Sequence, residues 1–274
     1  VTGVGGETNW TGLARYYDRL FPPGPSQVEF VTRVLSAGPK PARRVLDIGC
    51  ATGGYALALA EAGFEVTGVD LDPEMVRGAR ARAEEWASGR KTLQPGAAGL
   101  SSGPPPRFFI GDMTDLRDLP DEETRPFDGV ICLGNTLAHM LSAAELGAAL
   151  GEMSRLLAPG GRAVIQTVNY DRLAATGEAR FPPITAQPGL VFERLYLPRS
   201  DGLVNFVTTL REARAGRAVF RAETLLRPVL REELVTVARM AFHGEVEVYG
   251  DFLFSSWTEA SPATVVVAVK GPVE

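Results

Sequence analysis

Apolar residues first recur at helical spacing. Residues 12–20 predict a short helix carrying Tyr16 and Tyr17, which Pro22, Pro23 and Pro25 interrupt. Val28, Val31, Val34 and Leu35 then share one face of a helix over 28–35. From Val45 the pattern becomes a compact apolar strand over 45–48, a glycine cluster, and a helix over 55–62 closed by Gly63. A strand over 64–69 ends at Asp70, and a helix over 73–87 has proline in its first turn. Residues 89–106 are rich in Gly, Pro and Ser and predict a flexible loop. A third strand over 107–110 leads to Asp112, and a fourth over 127–133 leads to Gly134 and Asn135. Ser142 with Glu145 forms a capping box for a helix running to Leu157, and Pro159-Gly160-Gly161 turns into a strand over 163–168.

Strand–helix alternation of this kind predicts a Rossmann-like, doubly wound α/β fold with a mostly parallel sheet. After it the period changes to two. Residues 190–197, 203–213 and 218–227 are β-rich runs joined by turn residues, which predicts antiparallel hairpins. A helix over 231–241 and strands over 245–248 and 264–269 complete the chain. The expected organisation is one domain over 1–274: an N-terminal helical lid (1–40), a core (41–185 and 228–274), and an antiparallel insertion (186–227) in the C-terminal third.

Composition narrows the functional classes. The 274 residues are 45% hydrophobic, enough for one large core, and no apolar run reaches membrane-spanning length. Residues 1–10 lack a basic stretch followed by an apolar one, so no secretory leader is expected. With two cysteines and two histidines, neither a disulfide scaffold nor a zinc site is expected, and a reducing cytoplasm suits the chain. A net charge of −5 without a basic stripe argues against a nucleic-acid partner. The expected partner is a small-molecule substrate, with no membrane; homodimerisation stays open.

The chemistry concentrates in Val45-Leu-Asp-Ile-Gly-Cys-Ala-Thr-Gly-Gly54. A strand delivers Asp47 into a tight glycine turn that opens a helix, at the end of the sheet where open α/β folds bind ligands. Gly49 and Gly53 allow backbone conformations and close approach that a side chain would block. Asp70, at the end of the next strand, stands where a carboxylate can accept both ribose hydroxyls. A nicotinamide cofactor is the rival, since Gly49, Ala51 and Gly54 fit a degraded G-x-A-x-x-G pattern. Asp47 argues against it: a carboxylate there repels a pyrophosphate, whereas it suits the ammonium and sulfonium of S-adenosylmethionine. A turn that binds nothing is the remaining reading.

These residues resemble the first motif of the class I S-adenosylmethionine-dependent methyltransferases, with Ala51 in place of the usual middle glycine. The resemblance implies S-adenosylmethionine as cofactor, with its methionine part at Gly49, Cys50, Ala51 and Gly53. It further implies ribose on Asp70, adenine against Leu71 with Asp112 and Met113 at its edge, and Leu133 and Gly134 completing the site. Ile131-Cys-Leu-Gly-Asn-Thr-Leu-Ala-His-Met140 is similar to a stretch of glycine and sarcosine N-methyltransferases and of sugar N,N-dimethyltransferases. Tyr16-Tyr17-Asp18 and Asn169-Tyr170-Asp171 are similar too. The implied reaction is methyl transfer to a small amine. Alternatives are a small-molecule O-methyltransferase, a nicotinamide-dependent oxidoreductase, and a non-catalytic S-adenosylmethionine-binding protein. His139 is the candidate proton acceptor, because imidazole titrates near neutral pH. Tyr17 is a second catalytic candidate, reaching over the cofactor from the lid, and Tyr16 and Asn135 are candidates to hold the acceptor.

Overall fold

The computed structural model describes residues 12–38, 41–91, 103–123, 125–177, 180–186 and 189–272. Helices α1 (Ala14–Leu20) and α2 (Pro25–Ser36) lead into β1 (Arg44–Ile48). Pro25, expected to be a breaker, instead opens α2, where its missing N–H would have had no intrahelical partner. Next come α3 (Gly54–Glu61), β2 (Glu65–Asp70) and α4 (Pro73–Lys91). α4 runs through Gly89, the expected start of a loop; an isolated glycine weakens a helix without ending it. Residues 92–102 of that expected loop lie outside the described residues.

β3 (Arg107–Ile110), β4 (Phe127–Cys132) and α5 (Ala143–Leu156) follow. The expected capping box is present: Glu145 N donates to Ser142 Oγ at 3.1 Å, and Ser142 N donates to Glu145 Oε2 at 2.9 Å. β5 (Leu157–Val168) starts before the glycine turn rather than at 163, because Leu157 already pairs with Phe127 before the register shifts. The short helix α6 (Tyr170–Thr176) was not foreseen. Then come β6 (Ile184–Ala186), β7 (Leu190–Pro198), β8 (Val204–Glu212) and β9 (Ala218–Leu226). Helix α7 (Arg231–Phe242), β10 (Val246–Tyr249) and β11 (Ala263–Val269) complete the fold.

The main sheet has the order β3-β2-β1-β4-β5-β11-β10, and only β11 runs against its neighbours. Side chains alternate across it: Val45 joins Phe30, Leu59 and Val76 on the α2–α3–α4 face, while Leu46 and Ile48 join Leu150, Met153 and Phe242 on the α5–α7 face. Chain order reverses between β1 and β4, which opens a crevice at their carboxyl ends. The doubly wound α/β expectation holds.

β6 to β9 form a separate antiparallel sheet. β6 adds a strand to the three expected and starts at 184, slightly before the expected insertion. Tyr196, Val204, Phe206 and Leu226 pack with Ala138 and Tyr170, beside the crevice. Phe192, Leu210 and Ala186 pack with Leu13 and Leu20 at the ends of α1. Arg227 N donates to Ala138 O at 2.7 Å, tying the sheet to the segment after β4. Among the described residues, no helix is long and apolar enough to cross a membrane.

Candidate active site

The glycine turn is shaped by close contacts. Gly49 has φ +70°, and a Cβ there would lie 2.4 Å from Thr136 Cγ2. Gly53 has φ +75°, and its Cβ would meet Phe108 Cζ at 2.6 Å. Ala51 also takes a positive φ, +47°, where an L side chain is strained. Ala51→Gly should therefore raise stability by about 0.5–1 kcal/mol after the extra freedom of glycine in the unfolded chain is counted. Denaturant titration checks this; a lower midpoint would show that the alanine methyl packs better than its backbone strains.

Asp47, the penultimate residue of β1, is 3% exposed, and its Oδ2 has no hydrogen-bond partner among the described residues. Burial, with the neighbouring Asp70 charge, pushes its carboxyl up to about 7. Asp70 accepts Ala51 N on Oδ2 at 2.8 Å and Asp72 N on Oδ1 at 2.9 Å. A carboxylate offers about four acceptor positions, so these bonds fix its orientation and leave capacity for two ligand hydroxyls. Burial raises the Asp70 pKa, and its backbone donors oppose that rise.

A cavity of about 650 Å³ opens over the turn. It gathers many of the expected residues: Tyr17, Gly49, Ala51, Asp70, Leu71, Asp112, Met113, Gly134 and His139 all line it. Leu71 is 67% exposed there, an apolar wall beside polar groups. His139 closes a 3₁₀ turn (Thr136–His139) after β4. Burial lowers its imidazole pKa to about 4, so it does not titrate near neutrality as expected. Tyr17 enters from α1; burial, Asp70, Tyr55 and Asp47 raise its phenol, which stays a hydrogen-bond donor.

Other expected site residues sit elsewhere. Cys50 and Leu133 are buried in the α2–α3–α4 core, and burial raises the Cys50 thiol. Gly53 packs on Phe108 rather than lining the cavity. Tyr16 lies under the guanidinium groups of Arg15 and Arg19 and packs toward Phe192 and Leu210. Asn135, in a left-handed conformation, uses its amide structurally: Nδ2 donates to Tyr170 Oη at 2.9 Å, and Oδ1 accepts Val168 N at 3.0 Å. Neither Tyr16 nor Asn135, expected to hold the acceptor, lines the cavity. The Asn169-Tyr170-Asp171 run is structural as well. Asn169 caps α6 and donates to the carbonyls of Thr258, Glu259 and Ser261, while Asp171 accepts Arg231 N.

Several site residues carried no signal on their own. Thr136, Met140 and Glu145 line the cavity, and Thr224 and Leu225 reach it from β9. Gln166 on β5 accepts Gly134 N at 2.8 Å, fixing the cavity edge. Asp18, last of the Tyr-Tyr-Asp run, ties α1 to the glycine turn and to α4: it accepts Thr52 Oγ1 and Arg82 Nη1, each at 2.6 Å, and Arg82 also donates to Thr52 O. The pair is partly exposed, so Asp18→Ala should change global stability by only about 1 kcal/mol or less. Hydrogen exchange in α1 should nevertheless quicken selectively. Uniform quickening across the sheet, or none in α1, would contradict this tie.

S-adenosylmethionine fits this set. The partnerless buried Asp47 oxygen suits a cationic head, Asp70 has acceptors left for a diol, and exposed Leu71 offers an apolar wall for a base. The comparisons agree. Residues 45–161 match the model of a methyltransferase domain. The chain is 34% identical to a glycine N-methyltransferase of Oryctolagus cuniculus, over 52% of this chain and 45% of that protein. It is 31% identical to a ubiquinone biosynthesis O-methyltransferase of Xylella fastidiosa, over 53% of this chain and 48% of that one. The chain thus spans less than half the length of these curated relatives. A sugar N-methyltransferase, KedS8, from Streptoalloteichus shares the fold, with a TM-score of 0.62 at 24% identity over 89% of this chain and 87% of that one. The acid-bearing turn and most of the residues lining the cavity above it fall within residues 45–161, the stretch that matches a methyltransferase domain.

Proposed function

We propose that the protein transfers a methyl group to the nitrogen of a small amine. When bound, S-adenosylmethionine supplies a methyl already activated on a sulfonium. The protein then has to hold two partners in line, exclude water and keep the acceptor nitrogen unprotonated. Asp47 and Asp70 hold the cofactor, with Leu71 and Met113 beside its base and Asp112 at the edge. Tyr17 closes over the turn and keeps water from the reacting centre.

The observation that carries the nitrogen reading is the neutral imidazole of His139 in the cavity wall. It accepts a hydrogen bond from an incoming amine and fixes the direction of the nitrogen lone pair. With a pKa near 4 it does not retain a proton at neutral pH, so its role is orientation more than proton storage. An amine suits this arrangement because its neutral form attacks without a strong base. An unactivated hydroxyl needs a stronger base than this imidazole, which places the O-methyltransferase reading second. The insertion roofs the acceptor end through β9, and the buried, free Cys50 and Cys132 suit a reducing compartment. The test is release of S-adenosylhomocysteine from S-adenosylmethionine across a panel of small amines and matched alcohols. Transfer to alcohols alone, or binding of NAD in place of S-adenosylhomocysteine, would overturn the proposal.

A further inference from the structure

The charge lining the cavity restricts the acceptor. Its walls carry Asp70, Asp72, Asp112 and Glu145; Asp47, 3% exposed, is not among the lining residues. Among the described residues lining it, none is lysine or arginine. The side contributed by the lid, the 3₁₀ turn and β9 offers neutral groups only: Tyr17, Thr136, His139, Thr224 and Leu225.

No arginine of the antiparallel insertion lines the cavity, and several are engaged elsewhere. Arg194 donates to Pro182 O and lies over the Phe181 ring. Arg211 pairs with Glu193, Arg199 with Asp201, and Arg217 with Glu212. Just beyond β9, Arg227 pairs through Nη2 with Glu233; its buried Nη1 has no partner among the described residues, and the residue does not line the cavity. Arg82, the cation nearest the turn, is bound to Asp18 and Thr52.

We infer that the acceptor is an amine bearing no carboxylate or phosphate, and that amino acids are excluded although the relative matched above is named for glycine. The inference rests on the N-methyltransferase reading and refines it. An amino acid must shed its ammonium proton before attack, which leaves it with a net negative charge among these carboxylates. A buried carboxylate without a cationic partner carries a desolvation penalty of several kcal/mol. A plain amine enters as a cation, drawn by the acidic walls, and is neutral when it attacks. Transfer then forms the new N–C bond, breaks the S–C bond and releases S-adenosylhomocysteine; the proton left on nitrogen goes to solvent.

Matched acceptors of similar nitrogen basicity test this: 2-aminoethanol against glycine, and 3-aminopropanol against β-alanine. Initial rates of S-adenosylhomocysteine release are read at equal concentrations and mildly alkaline pH. Each alcohol is expected to exceed its acid by at least about tenfold, the scale of one unpaired charge in a binding site. Glycine or another acid matching its partner would overturn the inference. Transfer to none of the amines, with S-adenosylhomocysteine bound in calorimetry, overturns it equally, because the acceptor would then be of another class. Failure to bind S-adenosylhomocysteine would instead remove the methyltransferase reading beneath it.

Discussion

His139→Ala should lower turnover by about 10²-fold, the low end of what a positioned proton-handling group contributes. On the proposed reading Asp47 and Asp70, on β1 and β2, hold the cofactor, so cofactor affinity should hardly change. His139→Gln separates two roles. A glutamine amide can still accept a hydrogen bond and should restore part of the rate if orientation is the main function. The pH profile adds a third readout. The imidazole titrates near 4, so the wild-type enzyme should show no acid limb belonging to histidine between about pH 5 and 8. Any limb there belongs to the amine or to Asp47 and should persist in His139→Ala. A folded His139→Ala protein with near-normal turnover on its own acceptor would leave alignment to Tyr17 and the β9 wall.

Much of the scaffold was legible because its signals are local. Strands β1 to β4 fell close to their expected places, since each is a short apolar run bounded by glycine, proline or an acid. Asp47 and Asp70 followed from their places beside the glycine turn. What was missed depends on contacts between distant segments. α6 is one short turn set by Asn169 clamping carbonyls near 260, and no periodicity announces it. β6 is a short edge strand that exists because it pairs with β7.

The site divides in the same way. Sequence neighbours of a functional residue look functional, yet adjacent residues on a helix, strand or turn face different ways. Tyr17 lines the cavity while Tyr16 packs under arginines, and Ala51 lines it while Cys50 points into the core. Asn135 resembled a ligand-holding amide, but a left-handed residue joining β4 to the 3₁₀ turn needs its side chain to stitch β5 and Tyr170 together. Asp18 and Arg82 are far apart in sequence and meet only when α1 docks on α4. The depressed pKa of His139 is likewise a burial effect, absent from any local pattern.

Asp47→Asn should do two opposite things. At about pH 8 it should weaken S-adenosylmethionine binding by about 2–3 kcal/mol, the scale for losing a charge-assisted contact in a buried site. It should also raise the melting temperature of the ligand-free protein. The sign follows from linkage. The Asp47 pKa is raised from 3.8 to about 7 in the folded state, so its stabilising contribution is full below its unfolded value and is lost as pH rises through about 7. Above that pH the buried carboxylate is ionised without a partner and opposes folding, and asparagine removes the penalty. Asp70 is shifted in the same direction and stays in place, so the Asp47 variant isolates one of the two acids. A cationic cofactor reverses the balance by favouring ionised Asp47, so binding near neutral pH should release a proton. Calorimetry in two buffers of different ionisation enthalpy should show that release at about pH 6.5 and its disappearance by about pH 9. Affinity should climb as pH rises toward 7 and level off above it. In Asp47→Asn both the proton release and the climb should vanish. A variant that binds the cofactor normally, or that melts lower than wild type at about pH 8, would mean that the Asp47 carboxylate is satisfied within the protein and is not held ready for a cation.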